Sequence, residues 1–205
     1  MDKATQFEKI DLDYVKDILT KLVAIPSPSG FTDEAVRFTC NELDKLNIPY
    51  EITRRGGIRA DLKGEIASPD RSIVAHVDTL GAMVKGLKTN GRLEVVPVGH
   101  WSSRFAEGAR VTLFTDERQY RGTILPTKAS GHAFNEEVDL LPVTWDNVEL
   151  RLDETVHRKD ELETLGINVG DFIAIDPNIE FSESGFINSR HLDDKAGVAV
   201  MLAIA

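Results

Sequence analysis

His76 and Asp78 stand two residues apart, directly after a short apolar run of Ile73, Val74 and Ala75. Residues two apart on an extended chain point to the same side. An imidazole and a carboxylate therefore emerge together. One ring nitrogen can bind a metal ion while a carboxylate at the other fixes the tautomer. His-x-Asp is a short pattern, and chance explains it about as well. A second cluster shifts the balance. Residues 189–197 read SRHLDDKAG and lead into an apolar stretch from Val198. Helix capping accounts for one of the two aspartates. A divalent cation accounts for both more economically. A carboxylate can bridge two ions, and two-metal sites serve hydrolysis of amides and phosphates.

Both clusters need elements to carry them. The run 73–75, bounded by polar residues, predicts a buried strand of a mostly parallel sheet. Ligands bind at the carboxyl ends of such strands. Residues 185–188 predict another strand, with a helix from Val198. Upstream, Asp11 is an N-cap for a helix bearing Leu12, Val15, Ile18, Leu19 and Leu22. Pro26, Pro28 and Gly30 stop it, and a turn is a sufficient role for that loop. Thr32 caps a second helix with Val36, Cys40, Leu43 and Leu46 on one face. Strands at 50–53 and 58–62 flank a turn, and a loop at 65–70 follows. After Val84 the pattern changes to hairpins. Asn90-Gly91 predicts a type I′ turn. Strands are expected at 111–114, 122–125, 148–152 and 172–175, with one helix at 159–165 ended by Gly166. The division is thus 1–84 for the first part of an α/β domain, 85–177 for an inserted β-rich module, and 178–205 for the second part.

Composition narrows the class. There are 24 basic against 34 acidic residues, net charge −10, with no basic run, which argues against nucleic-acid binding. One cysteine, Cys40, precludes an intrachain disulfide and fits the cytoplasm. The first fifteen residues lack an apolar signal core, and no run approaches membrane-spanning length.

Four blocks occur in order: AHVDTLGAMV, NGRLEVVPVGHW, LGINVGDFIAI and HLDDKAGVAV, preceded by PSPSG at 26–30. Together they resemble the tetrahedral aminopeptidase (glutamyl aminopeptidase) family, metallopeptidase family 42. Within it they look most like the subgroup associated with the osmoprotectant N-acetylglutaminylglutamine amide. The resemblance implies a zinc-peptidase-like three-layer α/β sandwich, here partial, with an inserted PDZ-like or barrel dimerisation domain. It implies hydrolysis of N-terminal residues from peptides with two divalent ions, Zn²⁺ or Co²⁺. His76 would bind one ion, Asp193 would bridge two, Asp78 would orient His76, and Asp194 would support the turn through a cis peptide after Asp193. It also implies a homo-oligomer, dimers assembling to a dodecamer. His132 sits where the family has a Lys-x-x-x-His-like loop that can approach an active site, although a plain loop is the stronger reading. His100 is given a packing role and His157 a solvated one, while His191 matches no ligand of the family and the pair Glu136 and Glu137, inside the inserted module, does not match its catalytic pair.

In that family the catalytic Glu and the remaining ligands lie beyond the position of Ala205. The chain is therefore expected to be an N-terminal portion with weak metal affinity and little turnover alone. Two other readings compete. Dipeptidase and deacylase enzymes also carry His-x-Asp and a bridging Asp, but their inserted domain follows the metal residues. A non-catalytic assembly module with a vestigial site is the third.

Overall fold

A computed structural model describes residues 10–64, 68–69 and 71–205; most of the loop expected at 65–70 lies outside them. In chain order the elements are α1 (Leu12–Ala24), α2 (Asp33–Lys45), β1 (Tyr50–Ile52), β2 (Ile58–Ala60), β3 (Gly81–Leu87), β4 (Leu93–Val98), β5 (Arg110–Phe114), β6 (Gln119–Pro126), α3 (Gly131–Phe134), β7 (Val148–Leu152), α4 (Lys159–Thr164), β8 (Phe172–Ile175), β9 (Glu180–Phe181), β10 (Ile187–Asn188) and α5 (Leu192–Ile204). They fall into two compact units, Met1–Thr79 with Pro177–Ala205, and Leu80–Asp176. Residues 80–84 thus belong with the β-rich unit, because β3 begins at Gly81.

The first unit is built on helices. Asp11 caps α1: its Oδ1 accepts the amides of Asp13 and Tyr14, each at 3.0 Å. Ile18, Leu19, Leu22 and Val23 of α1 bury against Val198, Ala199 and Leu202 of α5, with Leu43 of α2 and Ile48. Thr32 occupies the cap position of α2 without capping it. Its backbone is already helical (φ −109°, ψ −2°) and its hydroxyl makes no cap bond. A capping side chain needs an extended backbone to reach the next amides. Asp33 and Glu34 instead place negative charge in the first turn. β1 and β2 form an antiparallel hairpin. β9 and β10 form another, turned at Gly185 (φ +90°), so the strand expected at 185–188 is the returning arm of a hairpin.

The parallel strand expected at 73–75 does not form. Ile73 is 62% exposed and Val74 84%, and the nearest ladder is a single parallel bridge from Pro28 to Thr79. A central parallel strand needs neighbours on both edges and cover on both faces. Among the described residues none flanks this segment. It still alternates: Ala75 and Val77 pack on the helical cluster, whereas His76 is exposed.

The second unit is a closed six-stranded barrel, in the order β3-β4-β7-β6-β5-β8, with every ladder antiparallel. Alternating strand residues fill it, among them Ala82, Val84, Leu93, Val95, Val111, Leu113, Ile124, Leu150 and Ile173. Leu162 of α4 and Ile167 join the same core. The β3–β4 connection departs from type I′, which needs two left-handed residues. Gly91 is left-handed (φ +74°) but Asn90 is not. The Gly91 amide donates to Lys88 O and the Lys88 amide to Arg92 O, a three-residue loop closed by a glycine bulge. Among the described residues no helix is long and apolar enough to cross a membrane.

Candidate functional site

The segment 76–79 is stitched to the loop that ends α1. The Thr79 amide donates to Ser27 O at 2.8 Å and the Ser29 amide to Thr79 O at 3.2 Å. The buried Ser27 hydroxyl donates to Val77 O at 2.8 Å. The backbone beneath His76 and Asp78 is therefore fixed without a sheet. His76 Nδ1 lies 3.0 Å from Asp78 Oδ1 and 3.1 Å from the Asp78 carbonyl oxygen. Its Nε2 lies 3.2 Å from Asp193 Oδ1. Burial lowers the affinity of His76 for a proton. The Asp78 carbonyl and the carboxylates of Asp78, Asp193 and Asp194 outweigh this and hold its pKa above the ordinary value.

The approach of Asp193 depends on how α5 begins. Asp193 (φ −88°, ψ 108°) and Asp194 (φ −122°, ψ 34°) are not helical, and the peptide between them is cis. Regular helix starts after them, and Asp194 caps it: its Oδ1 accepts the Gly197 amide at 3.1 Å. Asp194 is thus a structural support, while Asp193, with its side chain 96% exposed, is left to face His76. Lys195 follows and is wholly buried. Its Nζ donates to Leu22 O at 2.8 Å and Ile25 O at 2.7 Å, carbonyls at the C-terminal end of α1. Burial lowers its pKa to about 8.

The donor chemistry fits a cation. A neutral imidazole carries one N–H. Nδ1 faces two acceptors, both of Asp78, and with the proton there Nε2 presents a lone pair. That lone pair faces a carboxylate oxygen, an arrangement that needs a cation between them, either a proton or a metal ion. Two ligands held ~2.0–2.2 Å from one ion at the tetrahedral angle lie about 3.3–3.6 Å apart, and the His76–Asp193 separation of 3.2 Å falls just short of that range. Among the described residues no three or more His, Cys, Asp or Glu side chains converge on a metal position. His76 and Asp193 could thus supply two ligands to an ion but not a full set. His132 is exposed on α3 of the barrel unit. Sequence reasoning assigned no role to Ser29, Lys195 or Gly197. A Ser inside Pro-Ser-Pro-Ser-Gly reads as a turn, and nothing local to Lys195 points to its burial.

The architecture is that of known aminopeptidases. An aminopeptidase from the archaeon Desulfurococcus kamchatkensis superposes with a TM-score of 0.78 at 27% identity, over 93% of this chain and 50% of that one. The Pyrococcus horikoshii TET1 peptidase, described as able to assemble into a tetrahedron or a large octahedral shell, superposes with a TM-score of 0.76 at 22% identity, over 92% of this chain and 54% of its own. The sequence profile for M42 glutamyl aminopeptidase matches residues 56–205. A Bacillus subtilis (strain 168) protein named as an aminopeptidase, YhfE, is 41% identical over 189 residues, 92% of this chain and 54% of its own length. The chain belongs to the M42 glutamyl aminopeptidase family. It spans about half the length of the curated relatives it matches.

Proposed function

We propose that the whole protein is a metal-dependent aminopeptidase that removes N-terminal residues from peptides at a two-ion centre. The observation that carries this reading is the His76 ring, held by Asp78 at Nδ1 and facing Asp193 at 3.2 Å from Nε2. His76 and Asp193 would hold metal, with Asp193 shared between two ions. Zn²⁺ or Co²⁺ bound there would supply Lewis acidity toward the scissile carbonyl and a means of acidifying water at neutral pH. Asp78 keeps the ring proton on Nδ1, so that the Nε2 lone pair stays available. Asp194, by capping α5, sets the backbone from which Asp193 projects. The α/β unit is proposed to be one part of a three-layer sandwich, and the barrel a PDZ-like dimerisation domain. Self-assembly is supported by the architecture shared with TET1, a peptidase described as able to assemble into a tetrahedron or a large octahedral shell.

The test uses the full-length protein. Elemental analysis should find divalent metal, and aminoacyl-anilides with free N-termini should be cleaved. His76→Ala and Asp193→Asn should each abolish both. Turnover that survives both substitutions, or cleavage confined to N-acylated substrates, would overturn the assignment. The second outcome would favour a deacylase.

A further inference from the structure

The loop at residues 26–30 does more than end a helix. Ser29 occupies the second position of a turn in which the Phe31 amide donates to Pro28 O at 2.7 Å. Gly30 follows with φ +95°, the left-handed conformation that a type II turn requires at its third position. The Ser29 amide is tied to Thr79 O. The side chain thus leaves a fixed backbone on both sides. Its hydroxyl donates to Asp78 Oδ2 at 2.5 Å, while the other oxygen of that carboxylate, Oδ1, meets His76 Nδ1 at 3.0 Å. The relay runs from Ser29 through Asp78 and His76 to Asp193.

We propose that Ser29 is a positioning residue for this centre: its hydroxyl locks the Asp78 carboxylate against His76 Nδ1 and so presents Nε2 toward Asp193. The proposal rests on the metal-binding reading above. Asp78 is half-exposed, with its side chain 42% accessible. Without a second anchor, a carboxylate in that position rotates about its terminal torsion and exchanges the imidazole for water. Ser29 blocks that rotation by holding the far oxygen. Thr39 provides an internal control, because its buried hydroxyl donates to the Ala35 carbonyl within its own helix, α2.

The experiment compares Ser29→Ala, Ser29→Thr and Thr39→Ala in the full-length protein, with two readouts. The first is the tautomer of His76 in the metal-free protein, from ¹⁵N imidazole shifts at a pH where the ring is neutral. The parent should be held with its proton on Nδ1. Ser29→Ala should give a mixture, and Ser29→Thr should restore the parent state. The second is a titration with Co²⁺ followed by its visible absorption. Loss of a partner to a metal-bound histidine weakens metal binding about 10- to 100-fold, and Ser29, one bond further out, should reach about 10-fold. Thr39→Ala should lower thermal stability and leave both readouts unchanged. Identical tautomers and affinities in Ser29→Ala and the parent would refute the relay. So would an equal disturbance from Thr39→Ala. If the parent binds no Co²⁺, the metal reading falls, while the tautomer comparison still decides the role of Ser29.

Discussion

Gly197 should respond to substitution with a sign that depends on Asp194. A Cβ built at Gly197 would lie 2.3 Å from Asp194 Oδ1, 2.7 Å from Oδ2 and 2.8 Å from Cγ. These are the nearest atoms, and all belong to the carboxylate that caps α5. Alanine is favoured over glycine within a helix by about 0.8–1.0 kcal/mol. Losing the cap costs about 1 kcal/mol, and up to about 2. In the parent protein Gly197→Ala must expel the carboxylate, so the two effects nearly cancel or leave a net loss of up to about 1 kcal/mol. In Asp194→Ala the cap is already gone and the obstruction with it. Gly197→Ala should then stabilise by close to 1 kcal/mol. Urea denaturation of the parent, both single variants and the double variant gives the coupling energy, expected at about 1–2 kcal/mol. Additivity within about 0.3 kcal/mol would show that the carboxylate and the missing Cβ do not compete for the same space.

Lys195 predicts a pH dependence. Its folded pKa of about 8 lies below its ordinary value of 10.5. Between those values the unfolded chain binds the proton that the folded chain has released, so stability should rise with pH across that window, by up to about 3 kcal/mol. Below pH 8 both forms hold the proton and the contribution is flat. Urea midpoints for the parent and Lys195→Met should therefore diverge in slope only above pH 8, and parallel slopes would contradict the assignment. In the barrel, a Cβ at Gly122 would lie 2.6 Å from the Arg151 carbonyl oxygen and 2.7 Å from Leu150 Cδ1. Ladder backbone cannot give way as a side chain can. Gly122→Ala should destabilise the protein by about 1–3 kcal/mol, read as a lowered melting temperature, and an unchanged melting temperature would show that the strands can part.

What the sequence revealed follows from the range of each interaction. Helix α1 was legible because its cap, Asp11, and its apolar face are local. The barrel strands were legible because alternation and turn residues are local too. His76 and Asp193 lie far apart in the chain, and strand-end logic joined them. The strand itself was misread, since Ile73 and Val74 show what such a segment would bury but not whether neighbours exist to bury it. Thr32 was misread because a side chain of capping type does not fix the backbone angles that capping needs. Ser29 with Asp78, and Lys195 with Leu22 and Ile25, left no signal at all. Each joins residues distant in sequence through one hydrogen bond, and each residue had a sufficient commonplace role.

The barrel closes by pairing β3 with β8, which sets Gly81 opposite Ala174. Paired antiparallel residues stand about 4.5–5.5 Å apart, so the barrel's first and last strands bring the points where the chain enters and leaves side by side. Seen from the helical unit, the excursion of residues 80–176 is a loop on the order of a hundred residues long when the barrel is unfolded, and a clasp equivalent to a few residues once it has formed. Loop-closure entropy grows as about (3/2)RT ln n, so forming the barrel first would relieve the helical unit of roughly 3 kcal/mol of ordering entropy. The barrel can then act as a folding staple for the very chain that interrupts itself to make it, bringing the segments that carry His76 and Asp193 within reach before either has found its partner.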